Sequence, residues 1–317
     1  MGNGKEESQT SRSLISKTET LRDKATQRKS RAVRQTSAQT DPSAGGVRII
    51  QLPLWPEQTR ALPNDLARSA LFTVQNRKQT RKHLHQAEVA AFGDIKLRYT
   101  GEQLRQDDED VWLAIQHLAR NRPIHEPVVF RPVDMVRSLS WAIKGQSYTR
   151  LKDTIVRLKA TDLQVQCRVG LFGGSLIQSY AFSRDESDIA KSEVNEMLDK
   201  GYWAIWLDPQ ISQLFRPDTY TLIDWEQRRQ LAPLAKWLHS YFKGHSEPFP
   251  IKVATIQKMC GTNAVNLFHF RDDLKRALDR LQQIGFLLAW HLDDDDKVHV
   301  RRAPRARNEH PLQIPTP

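Results

Sequence analysis

The chain has 317 residues, enough for about two domains at the usual ~100–200 residues each. A formal net charge of +11 and a pI near 9.7 favour a polyanionic partner, either nucleic acid or an anionic membrane surface. No apolar run approaches the ~20 residues of a membrane span, MGNGKEESQT lacks the apolar core of a signal peptide, and Glu6 stands where a myristoylation site needs Ser or Thr. We expect a cytoplasmic protein with no membrane partner. Cys167 and Cys260 lie in apolar patterned segments and read as small core residues rather than a disulfide or metal site.

Residues 1–46 are rich in Ser, Thr, Gln, Lys and Arg and poor in aromatics, which predicts a disordered basic arm. The sequence then changes abruptly to VRIIQLPLW at 47–55. A short apolar peptide beside a disordered arm suits docking into a partner's groove, and we assign 47–60 that role. Gln51, Leu52, Leu54 and Trp55 follow the pattern of bacterial sliding-clamp ligands, although Pro53 and Trp55 depart from its commonest form. A strap packed on the first domain fits the same residues.

Asn64 or Asp65 suits the cap of a short helix through Leu71. Residues 78–88 are strongly basic, and His83 and His85 have no companion ligands for a metal. A strand is predicted over 95–100, turned by Gly101. The helix predicted over 107–120 begins with four acids, which suit its N-terminus better than a catalytic cluster, since no His, Gly-rich loop or nucleophile adjoins them. A strand at 126–130, a helix at 132–139 and a turn at 141–145 follow.

Residues 146–166 carry the strongest pattern. Tyr148, Leu151, Ile155 and Leu158 form one apolar stripe at helical spacing. The opposite face carries Arg150, Lys152, Arg157 and Lys159, with Asp153 as its one acid. Leu163, Val165 and Cys167 then alternate with polar residues as a strand. Gly170, Gly173 and Gly174 mark a turn, and 175–183 reads as the strand returning. Helix, turn, basic helix and hairpin are the order of a winged helix, assigned to 61–184.

A charged link at 185–200 leads to a strand at 202–207, a short helix at 209–215 and one amphipathic helix at 225–242, with Leu231, Leu234, Ala235 and Leu238 inward. A helix at 252–260, a turn at 261–263 and a helix at 266–284 follow, the last with Phe270, Leu274, Leu278 and Leu281 as its stripe. Strands at 286–292 and 298–302 close the repeat. The predicted fold is α+β: two tandem winged-helix DNA-binding domains, the second at 185–302, behind a disordered basic arm and before a basic, Pro-rich tail at 303–317.

On the first recognition helix Gln146, Ser147, Thr149, Arg150 and Lys152 are expected to face a DNA groove, with Arg157 and Lys159 on the backbone. On the second the expected contacts are Asn263, Asn266, His269, Arg271 and Lys275. Asp272, Asp273 and Asp279 limit that helix to its first turns, and the aspartates at 293–296 should point away from phosphates or merely close their hairpin. They lack the glycine and terminal glutamate of a calcium loop. No phosphate loop, zinc motif or hydrolase motif appears, so we expect neither an enzyme nor a cofactor.

LPLWPEQTRALPNDLARSALFTVQNRK (52–78), IKLRYTGEQLRQDDEDVW (95–112), WAIKGQSYTRLKDTIVRLKAT (141–161), LAPLAKWLHSYFKGHSEPFPIKVATIQKMCG (231–261) and the hairpin WHLDDDDKVHVRR together resemble the TrfA-type replication initiators of broad-host-range plasmids. The resemblance covers most of residues 50–302. It implies tandem winged helices that bind repeated origin sequences (iterons), opening of an adjacent AT-rich segment, and recruitment of the host initiator and helicase. It also implies a monomer–dimer equilibrium that limits copy number, and a clamp-binding pentapeptide where Gln51–Trp55 stands. The competing expectations are a winged-helix transcriptional repressor, acting on its own gene, and a non-enzymatic interaction scaffold.

Overall fold

The structure is a computed structural model that describes residues 50–93, 95–167, 170–183, 196–198, 200–216, 218–245 and 247–304, the side chains of Cys167 and Phe172 excepted. The arm at 1–46, most of the link at 185–200, the tail from 305 and the core role given to Cys167 lie outside these residues.

In chain order the elements are β1 (Thr59–Pro63), α1 (Asn64–Ala67), β2 (His83–Val89), β3 (Lys96–Glu102), α2 (Gln106–Ala119), β4 (Val128–Phe130), α3 (Pro132–Ser138) and α4 (Gly145–Lys159). They continue as β5 (Asp162–Cys167), β6 (Gly170–Gly174), β7 (Ser179–Ala181), β8 (Trp203–Trp206), a 3-10 helix (Pro209–Leu214), β9 (Tyr220–Asp224) and α5 (Trp225–Arg229). Last come α6 (Pro233–Lys243), β10 (Ile251–Lys252), α7 (Val253–Met259), α8 (Leu267–Gln283), β11 (Leu287–Leu292) and β12 (Lys297–Arg302). The architecture is mixed α/β. The described strands pair antiparallel in the orders β2–β3–β5–β6, β4–β8–β7, β1–β9 and β10–β12–β11.

Two hydrophobic cores form. One runs from Leu52 to Trp225 and the other from Leu231 to Val298. They divide between 225 and 231, not at 184/185. The physical reason is strand pairing: β8 lies between β4 and β7, and β9 pairs with β1, so Ile205 and Ile223 enter the first core.

The structure corrects two element assignments. The helix predicted over 225–242 is two helices, because Pro233 lacks an N–H and favours a helix's first turn, where it starts α6. The hairpin after α4 is also tighter than expected. The glycine-rich segment is itself the returning strand, with Cys167 opposite Gly170 and Leu163 opposite Gly174. Residues 175–177 then cross beneath α2, where Trp112 Nε1 donates to Leu176 O at 3.2 Å, and β7 joins a different sheet.

The cores are joined at the turn before α8. Val74 N donates to Cys260 O at 3.0 Å, and Gln75 Nε2 donates to Gly261 O at 3.2 Å and Asn263 Oδ1 at 2.9 Å. Gly261 has φ of 63°, and a Cβ there would lie 2.6 Å from Thr73 Cγ2. Left-handed backbone and close approach both call for glycine.

Candidate nucleic-acid interface

From Gln146 onward α4 contains no glycine or proline, and its inner face buries Leu151, Thr154, Ile155 and Leu158. The predicted stripe is therefore correct, with Tyr148 half-buried. Gln146, Thr149, Lys152, Asp153, Val156 and Lys159 are exposed, as is Lys144 just before the helix. Ser147 is committed locally: its Oγ donates to Ala142 O at 2.6 Å.

Arg150 and Arg157 do not face outward as expected. Arg150 Nη2 donates to Asp107 Oδ2 at 2.8 Å, and its guanidinium carbon sits 3.6 Å from the centre of the Trp141 ring. Arg157 bridges Glu102 Oε2 at 2.8 Å and Asp108 Oδ1 at 2.6 Å. Arg81 donates to the other Asp108 oxygen at 2.6 Å. The reason is that the N-terminus of α2 favours carboxylates and holds them beside α4, where charge-assisted hydrogen bonds in a half-dry site compete well with water. Burial alone would raise the Asp107 carboxyl, but the charge and hydrogen bond of Arg150, with Arg81 behind them, hold it below its usual value.

The four acids of α2 thus do more than favour its start. Asp108 also caps the helix, accepting from Arg105 N at 2.7 Å. Glu109 and Asp110 face the other way and hold the fully buried Arg228 of α5, at 2.8 and 2.7 Å. Arg228 also donates to Ser240 Oγ of α6 at 2.8 Å, and Lys236 of α6 pairs with Asp110. Burial would lower the Arg228 guanidinium, yet the charges of Glu109 and Asp110 raise it above its ordinary value.

On α8 the buried stripe is Phe270, Leu274, Ala277, Leu278 and Leu281. Two expected base contacts are engaged elsewhere. Asn266 is the helix cap, its side chain accepting from Phe268 N at 2.8 Å, because the first helical N–H groups have no internal partner. Arg271 is clamped by Asp296 of the hairpin turn, at 2.7 and 2.9 Å. Asn263 is exposed but accepts from Gln75, while His269 and Lys275 are exposed. The turn's aspartates close their own hairpin: Asp293 accepts from Lys297 N at 2.8 Å and from His299 Nε2 at 2.7 Å, and Asp295 meets Lys297 Nζ at 2.8 Å.

The docking peptide is corrected outright. Leu52 is 2% exposed and Trp55 3%, both in the first core, while Leu54 is 54% exposed. Trp55 Nε1 donates to His117 Nδ1 at 3.0 Å and its ring stacks on Phe215. Gln51 Nε2 donates to Arg120 O at 3.0 Å. Two of the four residues a clamp would grip already fill the protein's own interior, so the segment is a strap.

Sequence reasoning missed Arg81 and Glu102, which help organise the α4 arginines and their acids from positions far along the chain, and Trp141, whose ring Arg150 stacks on. It also passed over Val265 and Phe268, 98% and 64% exposed at the start of α8. Among the described residues no three His, Cys, Asp or Glu side chains are arranged to hold a metal, and no helix is long and apolar enough to cross a membrane.

Taken together these features define a mixed α/β protein whose candidate site is a charged helical surface. The chain belongs to the TrfA family: the family's model, described as TrfA protein, matches residues 16–302. It is 34% identical over 263 residues to the plasmid replication initiator protein TrfA of Escherichia coli, a match spanning 80% of this chain and 64% of that relative. The match therefore spans less than two thirds of the relative's length. Two crystal structures of domains 2 and 3 of RctB align with TM-scores of 0.47 at 14% identity, covering 72% and 74% of this chain and 94% and 95% of theirs.

Proposed function

We propose that this protein is a plasmid replication initiator that binds repeated origin sequences through two winged helices, α4 with β5–β6 and α8 with β11–β12. The observation that carries this is membership of the TrfA family across residues 16–302, with a relative named as a plasmid replication initiator. The geometry supports it: both halves run long helix, short helix, longer helix, hairpin, and α4 presents Lys152 and Lys159 outward. Phosphate contacts from such lysines set register and orientation, and polar side chains on the outer face read base edges.

In this proposal the protein works by binding and not by a chemical step. Copies bound side by side strain a neighbouring AT-rich duplex until it opens, and the host initiator and helicase assemble on the opened DNA. The buried strap leaves a clamp contact through Leu52 and Trp55 out of the proposal.

The test is complementation. A replicon deleted for its own initiator gene, carrying the direct repeats found beside this gene, should be maintained when this chain is supplied in trans. Purified protein should make thymines next to the repeats reactive to permanganate with host factors present. Protection of one isolated palindrome, without maintenance, would instead identify a repressor.

A further inference from the structure

Asp153 occupies an unusual position. It lies three residues after Arg150 and four before Arg157, the two spacings at which helix ion pairs form readily. Neither arginine takes it. Arg150 goes to Asp107, and Arg157 to Glu102 and Asp108. Among the described residues Asp153 has no partner, although every acid on the facing end of α2 has a cation. The fold therefore holds the arginines back and leaves one carboxylate free.

That carboxylate lies opposite the buried face, on a line with Thr149 and Val156, which bracket it by a turn each way. Lys152 and Lys159, seven residues apart, lie along one side of the line, so the local balance of the exposed charges remains positive. A carboxylate repels phosphate, but in the major groove it has one good partner. The 4-amino group of cytosine is a donor, and carboxylates accept from it.

We propose that Asp153 is a specificity-determining residue that accepts a hydrogen bond from the 4-amino group of a cytosine in the DNA major groove. This rests on the DNA-binding function proposed above.

The test begins with selection of duplexes from a randomised pool by the full-length protein. At each enriched cytosine the base is replaced by 2-pyrimidinone, which still pairs with guanine but lacks the 4-amino group. At one position the replacement should weaken wild-type binding about 5- to 100-fold. Asp153→Ala should bind the two duplexes equally and lose its preference for cytosine there, while its affinity for unrelated DNA stays the same or rises. Asp153 is exposed and unpaired, so the variant should melt with the wild type. The proposal is overturned if Asp153→Ala binds every duplex more tightly by one common factor and keeps its cytosine preference, since that is only the removal of a repelling charge. A wild type that enriches no sequence overturns the DNA-binding function itself, a distinct result.

Discussion

The two helix–hairpin units share an order of elements but not an electrostatic plan. In the first, the arginines of α4 are held by carboxylates from elsewhere: Glu102 in β3, and Asp107 and Asp108 in α2. In the second, Arg271 of α8 is held by Asp296 of its own hairpin, and Arg276 by Asp273 of its own helix. The first unit is anchored to the body of the protein and keeps lysines free on its outer face. The second neutralises itself. Similar patterns on a chain can thus serve an anchored surface and a self-contained one, and the partner of each arginine decides which.

The largest expected effect comes from α2, which reaches toward α4 at one end of its acid run and toward α5 and α6 through Arg228. Arg228→Ala leaves Glu109 and Asp110 buried without their cation and should cost about 3–5 kcal/mol in chemical denaturation. A loss under 1 kcal/mol would mean that the two units are not tied through α2.

Next in size is the response to acid. Burial, with nearby cations adding to it, lowers His239 to about 3 in the second core, and burial lowers His117 to about 4 in the first, where Glu57 partly offsets it. In the unfolded chain both titrate near 6.5, so the unfolded state takes up protons that the fold refuses. Stability is full above that value and falls as pH drops below it, by roughly 1–2 kcal/mol per histidine at pH 5. His239→Gln should remove its share of the slope and leave that of His117, as read from melting at pH 7 and pH 5.

A smaller effect separates the outer faces. Lys152→Ala should weaken DNA binding and reduce the salt slope of affinity by about 1. Lys275→Ala should do less, because Asp272 and Asp273 share its surface. Equal changes would remove the asymmetry. The smallest effect is that of Asp296→Ala, which frees Arg271 and should raise DNA affinity a few-fold in binding titrations. Unchanged affinity would put Arg271 outside the contact surface.

The buried stripes of α4 and α8 were legible because helical periodicity is a local property, and Leu151, Ile155, Leu274 and Leu278 all lie inside as their spacing requires. The family was legible from long motifs. The roles of Arg150 and Arg157 were not, since their carboxylate partners lie 43 to 55 residues away and no spacing rule reaches that far. The strap was misread for a related reason: an apolar peptide beside a polar arm looks the same whether its groove belongs to a partner or to the same chain. The break at Pro233 was legible, and the apolar spacing across it outweighed the proline.

Because Val74 and Gln75 are hydrogen-bonded to the Gly261 turn that leads into α8, the angular phase between α4 and α8 is set by the protein and not by the DNA. For a protein working as proposed, the two contacted grooves must present themselves with one fixed helical offset. A single base pair inserted between them turns one groove by roughly 35° relative to the other. The hydrogen bonds at 74–75 would then act as a ruler, and repeats of altered internal spacing would be rejected even with every contacted base intact.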